Sequence, residues 1–210
     1  MDATTSFIHR FEPATAPGLP PLLLLHGTGG DETDLLSLGR TVLPGAALLS
    51  PRGKVLEGGM PRFFRRIAEG VFDEADLTRR ANELADFVLA ARARYGIAAP
   101  LALGFSNGAN IAAATLLLRP EALAGGVLLR AMSPFAAPPA ADLAGKPVLI
   151  LSGSFDPIVA GEDAERLAAT LAKAGAAVTH RSLPGGHGLG QADIGIVAGW
   201  LADTGRAVNA

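Results

Sequence analysis

Short apolar runs ending in turn residues punctuate the chain: PLLLLHG (21–27), AALLSPRG (46–53), PLALGFS (100–106), GGVLLRAMSP (125–134), PVLILSGSFDP (147–157) and AAVTHRSLPGG (176–186). Most are apolar nearly throughout, without polar alternation, which predicts strands buried on both faces of a parallel sheet. Helical patterns lie between them. In the clearest, Leu77, Ala81, Leu84, Val88, Ala91 and Tyr95 recur at spacings of four and three, while Arg79, Arg80, Glu83, Asp86 and Arg92 fall elsewhere around the helix. Further helices are expected near 33–43, 107–118, 162–174 and 191–203, several with Asp, Asn or Glu around their starts. The alternation predicts an α/β fold, with a mostly parallel central sheet, right-handed crossovers and helices on both faces. No internal repeat is present, and the Pro/Ala-rich stretch 133–147 reads as a surface connection, so residues 1–210 are expected to form a single domain.

Composition narrows the function classes. With 210 residues, 49% of them hydrophobic and 18% charged, the chain can close one sizeable core. The net charge of −2 comes from scattered charges without a basic stripe, so neither nucleic acid nor an anionic membrane is an expected partner. The absence of cysteine removes disulfides, thiolate nucleophiles and cysteine-ligated metals, and suits a cytoplasmic protein. The N-terminal segment has no basic region leading into a long apolar one, so neither export nor membrane spanning is expected.

In open parallel sheets the working groups gather outside the carboxyl ends of the strands. Those ends read HGTGG, SPRG, GFSNG, SFDP and PGGHG. GFSNG fits the G-x-S-x-G elbow, in which a serine sits on a sharp strand-to-helix turn and projects from the sheet. Gly104 and Gly108 remove Cβ atoms where strand and helix approach most closely. A helix beginning at Asn107 also turns free N–H groups toward any oxyanion beside Ser106.

A serine hydroxyl needs a base, and the base needs a third group to orient it. Of the four histidines, His187 lies in a glycine-rich loop after the last strand, free to reach back over the sheet end. His9 falls in an edge or terminal segment, His26 ends the first long strand and His180 lies within the last. Asp156 follows its strand directly, and although Asp-Pro is by itself a common turn initiator, the order Ser106, Asp156, His187 favours it as the acid over Asp163. The HGTGG loop can supply the backbone N–H of Thr28 to pair with that of Asn107 as an oxyanion hole. Its glycines match neither a dinucleotide fingerprint nor a phosphate loop, and no cofactor or metal is expected.

HGTGGDE, SPRGKVLEGGMPRFFRR, GFSNGAN, SGSFDPIV and GGHGLG, in this order and over nearly the whole chain, resemble the phospholipase/carboxylesterase group of α/β-hydrolases, which includes acyl-protein thioesterases. Within that group the chain is similar to small bacterial carboxylesterases related to hydroquinone-stress esterases. The resemblance implies Ser106 as nucleophile, Asp156 and His187 as its partners, and Thr28 and Asn107 as oxyanion donors. Many relatives carry Gln where this chain has Asn107, a change that leaves the backbone donor in place.

Met60, Phe63, Phe64, Phe72 and Ile158 are candidates to wall a substrate pocket, although aromatics beside a helix are more often core than pocket. Arg62, Arg65 and Arg66 read as a solvated basic cluster. No segment is long enough for a large lid domain, which suggests an open cleft for small soluble esters. The resulting expectation is a serine carboxylesterase acting on a small-molecule ester. A thioesterase or lysophospholipase-type hydrolase, a catalytically silent ligand-binding protein of the same fold, and a homodimeric state stay open.

Overall fold

The computed structural model describes residues 6–208, with side chains through position 205. Along the chain come β1 (His9–Glu12), β2 (Leu22–Leu25), α1 (Leu36–Val42), β3 (Leu48–Pro51), β4 (Val55–Glu57), β5 (Met60–Arg62), β6 (Arg66–Ala68), β7 (Val71–Phe72) and α2 (Glu74–Tyr95). They are followed by β8 (Leu101–Phe105), α3 (Asn107–Leu118), β9 (Gly125–Leu129), β10 (Pro147–Gly153), α4 (Gly161–Lys173), β11 (Ala177–Leu183) and α5 (Gln191–Val208).

Seven strands form one sheet in the order β1-β3-β2-β8-β9-β10-β11. All neighbours are parallel except β1, which runs antiparallel to β3. Side-chain alternation divides the core. Leu23, Leu25, Ala102, Val148 and Ile150 face a layer that includes Leu77, Leu84 and Val88 of α2, Ile111 of α3 and Leu167 of α4. Leu22, Leu24, Leu101, Leu103, Leu149 and Leu151 face Leu36 of α1 and Val197 and Leu201 of α5. Both faces are therefore covered, which is why these strands can be apolar at every position.

The four-and-three spacing of α2 matches its buried face, where Leu77, Ala81, Leu84, Val88 and Ala91 are inaccessible. Asp73 caps the helix by accepting from the Asp76 N–H, and Gly96 ends it in the left-handed conformation at φ 65°. These residues set α2 against α3, the helix that starts at the elbow.

The segment between β3 and α2 departs from the sequence reading. It folds into two small antiparallel hairpins, β4-β5 and β6-β7. Gly58 and Gly59 form the first turn with φ of 57° and 83°, between the paired residues Glu57 and Met60. A two-residue Gly-Gly turn with both φ positive is a strong hairpin signal.

Candidate active site

Strand order explains why residues far apart in sequence meet. The strands β2, β8, β9, β10 and β11 are consecutive in the sheet, so their carboxyl ends form one rim. Ser106, directly after β8, has φ 53° and ψ −116°. A non-glycine residue held there costs about 1–3 kcal/mol and persists only where its surroundings enforce it. The Ser106 N–H donates to Leu129 O at 2.8 Å, while its own carbonyl accepts from Asn110 N–H at 3.0 Å as α3 begins. Strand and helix clasp the turn.

The glycines make that clasp sterically feasible. A Cβ on Gly104 would lie 2.6 Å from Gly108 O and 2.7 Å from both Cα and N of Ala109. A Cβ on Gly108 would strike the Leu25 carbonyl at the end of β2. All these atoms are backbone, so no side-chain rotation can relieve the clash.

His187 Nε2 lies 2.9 Å from Ser106 Oγ, and its Nδ1 lies 2.8 Å from Asp156 Oδ2. An ionised carboxylate only accepts, so Nδ1 carries the proton and Nε2 accepts from the serine hydroxyl. Asp156 Oδ1 also receives the N–H groups of Ile158 at 2.8 Å and Val159 at 3.1 Å. Burial, the largest influence, pushes this carboxyl upward, but the Ile158 N–H, the His187 ring and the Val159 N–H outweigh it and leave its pKa below the ordinary value. Asp163 instead stands in the first turn of α4, where it pairs with Arg166.

The other histidines are engaged elsewhere. His26 donates from Nδ1 to Gly27 O at 2.6 Å and accepts the Gly53 N–H on Nε2 at 3.0 Å, and burial lowers its pKa. His9 meets the Tyr95 hydroxyl and His180 meets Ser152 Oγ.

Thr28 and Asn107 both border the cleft, and among the described residues neither backbone N–H has an acceptor. The second strand of the first hairpin, β5, and the residue that follows it grip this pair of residues and their neighbour Gly29. Pro61 O accepts from Gly29 N–H at 2.9 Å, Arg62 Nη1 donates to Thr28 Oγ1 at 2.9 Å, and Phe63 N–H donates to Asn107 Oδ1 at 2.8 Å.

This grip corrects two expectations. Arg62 is not a solvated member of a basic cluster: it is 3% exposed, donates to Phe64 O and pairs with Glu57. Phe63 and Phe64, at 1% and 0% exposure, do not line the cleft, because both are buried in the core layer that holds Leu77, Leu84 and Val88 of α2. Met60 also misses the cleft wall. It sits exposed on β5, with its sulfur near Gly29. Phe72 and Ile158 do line the cleft, together with Met132, Val159, Arg66 and Arg130. The cavity over Ser106 measures about 340 Å³.

No protein-family model matches the chain. MhqD of Bacillus subtilis (strain 168), a protein named as a hydrolase, is 45% identical over 197 residues, which cover 93% of this chain and 98% of that one. The solved carboxylesterase of Bacillus cereus superposes with a TM-score of 0.91 at 44% identity, over 94% of each chain. The chain belongs to the carboxylesterases of the α/β-hydrolase fold. A carboxylesterase from Mesorhizobium loti, at 36% identity, has a TM-score of 0.89 over 94% of this α/β-hydrolase and 95% of its own length. Beside these relatives, the sequence reading of a mostly parallel sheet flanked by helices holds for this esterase. Among its described residues no helix is long and apolar enough to cross a membrane.

Proposed function

We propose that this protein is a serine carboxylesterase that hydrolyses small esters through an acyl-enzyme formed on Ser106. The observation that carries the reading is the unbroken relay of hydrogen bonds from Asp156 through His187 to Ser106. As Ser106 Oγ bonds to the ester carbonyl carbon, its proton passes to His187 Nε2 and the carbonyl electron pair moves onto oxygen. The N–H groups of Thr28 and Asn107 receive that oxyanion, while Asp156 stabilises the imidazolium.

Collapse of the tetrahedral intermediate breaks the bond to the alcohol oxygen, which takes the proton from His187. Water then gives a proton to the same nitrogen as it attacks the acyl carbon; the bond from that carbon to Ser106 Oγ breaks to release the acid, and His187 returns its proton to Oγ. A cavity of about 340 Å³ is near the lower bound for ligand sites and favours a small substrate. Its mixed lining of Phe72, Met132 and Ile158 with Arg62 and Arg66 accommodates an apolar group beside a polar one.

The test compares wild type with Ser106→Ala on short-chain p-nitrophenyl esters, with a matched panel of thioesters. Ester hydrolysis that falls to the buffer rate in the variant supports the reading. Equal rates in the two proteins would remove Ser106 from the mechanism.

A further inference from the structure

We propose that Arg130 is the positioning residue for the base, holding the loop that carries His187 by the two peptide carbonyls that flank it. This inference rests on the role given above to His187 and adds a residue that the triad does not contain. Arg130 follows β9 and is 1% exposed, an unusual place for a guanidinium. Its Nε donates to Gly186 O at 2.9 Å and its Nη2 to Gly188 O at 3.1 Å. These carbonyls belong to the residues immediately before and after His187.

The guanidinium is itself fixed. Asp193, in the first turn of α5, receives Nη1 on Oδ1 at 2.8 Å and Nη2 on Oδ2 at 3.0 Å, the bidentate geometry that a planar fork matches. Asp193 Oδ2 also accepts the Gly190 N–H at 2.8 Å, closing the far side of the loop. Nη1 additionally reaches Leu151 O on β10 at 3.3 Å.

The backbone of Arg130 supplies the other half of the argument. It is one of two non-glycine residues with positive φ among the described residues, at 56°, and the other is Ser106. Leu129, immediately before it, accepts the Ser106 N–H, and the Arg130 N–H donates to Leu151 O at 2.9 Å. A single strained residue thus connects the strand end that clasps the nucleophile to the loop that carries its base. Glycines at 185, 186, 188 and 190 give that loop little stiffness of its own, so the direction of the ring depends on what holds the backbone on either side.

The prediction is specific to the base. Replacing Arg130 with Met should lower kcat by about 100-fold, the scale of a misplacement near 1 Å, with KM changing far less. In a His187→Ala background the same replacement should cost nothing further in kcat, because there is no ring left to aim. A residue that only stabilised the fold would give its loss in both backgrounds.

Buried ion pairs replaced whole by apolar residues are often tolerated. The double variant Arg130→Met/Asp193→Leu therefore keeps the test open if the single variant fails to fold, and it too releases both carbonyls. Arg130→Lys, with a charge but no planar fork, should recover only part of the rate.

Thermal melting of each variant accompanies the kinetics. A folded Arg130→Met or double variant with wild-type kcat overturns the proposal, as does an undiminished further loss in the His187→Ala background. If His187→Ala itself retains wild-type activity, the triad reading fails and the positioning role falls with it. Impairment in His187→Ala without impairment on release of the clamp rejects the positioning role alone.

Discussion

Gly104→Ala tests whether the approach of strand to helix sets the position of the proposed oxyanion donor Asn107. The added methyl would meet Gly108 O at 2.6 Å and the Ala109 Cα and N at 2.7 Å. All three belong to the first turn of α3, so the helix start must move as a unit. Bringing 2.6 Å out to an ordinary contact of 3.4 Å requires a shift of about 0.8 Å. Asn107 begins that turn and its N–H moves with it, whereas Thr28 stays with the β2 loop. A donor misplaced by close to 1 Å costs about 100-fold in rate, or about 2.7 kcal/mol of transition-state stabilisation.

Overpacking should also cost about 1–3 kcal/mol of stability. The assay is kcat/KM on p-nitrophenyl butyrate together with the melting temperature. Gly195→Ala is the control: it lies within α5 with no atom inside 4 Å of the new methyl, and should gain up to about 1 kcal/mol in stability with unchanged rate. A folded Gly104→Ala with wild-type kcat/KM would refute the reasoning, since donor position would then be independent of the strand-helix approach.

Asp156→Asn should keep the fold near neutral pH yet lower kcat by about 10⁴-fold, because an amide no longer enforces the tautomer that leaves Nε2 free to accept. The same variant has a signature in stability. The folded-state pKa of Asp156 lies below the ordinary 3.8, so its contribution is fully present above that value and is lost as pH falls through the lower, folded value. Wild type should therefore lose stability in that acidic window in excess of Asp156→Asn, as read by denaturant titration at successive pH values; parallel curves would contradict the assignment. Phe64→Ala and Phe72→Ala should separate core from cleft. The first removes a fully buried ring and should cost about 3–5 kcal/mol, whereas the second should chiefly alter KM across an acyl-length series.

Much of this was legible in the sequence because parallel strands buried on two faces write themselves as apolar runs, and because the strand ends carry the polar exceptions. The residues Ser106, Asp156 and His187 stood out as such exceptions and lie within hydrogen-bonding reach. The hairpins at 55–72 were missed since two- and three-residue strands are too short for any period to show, although Gly58-Gly59 was an available turn signal. Phe63 and Phe64 misled because adjacent aromatics carry no direction until the backbone path is known. The clamp of Arg130 and Asp193 joins residues 63 positions apart, and no local pattern links them. A lone arginine closing the apolar run GGVLLR was the one available cue.

The grip of residues 61–63 on Gly29, Thr28 and Asn107 bears on how such enzymes can be redesigned. Loop exchange is the usual route to a new substrate range, and the stretch from 55 to 72 looks like a free insert because it stands outside the main sheet. Under the proposed mechanism the insert doubles as scaffolding for the two oxyanion donors. A graft that preserves Pro61, Arg62 and Phe63 while varying the outer turns should therefore change selectivity and keep the contacts to Thr28 and Asn107, whereas one that swaps the whole stretch removes those contacts together with the Phe72 side of the cleft.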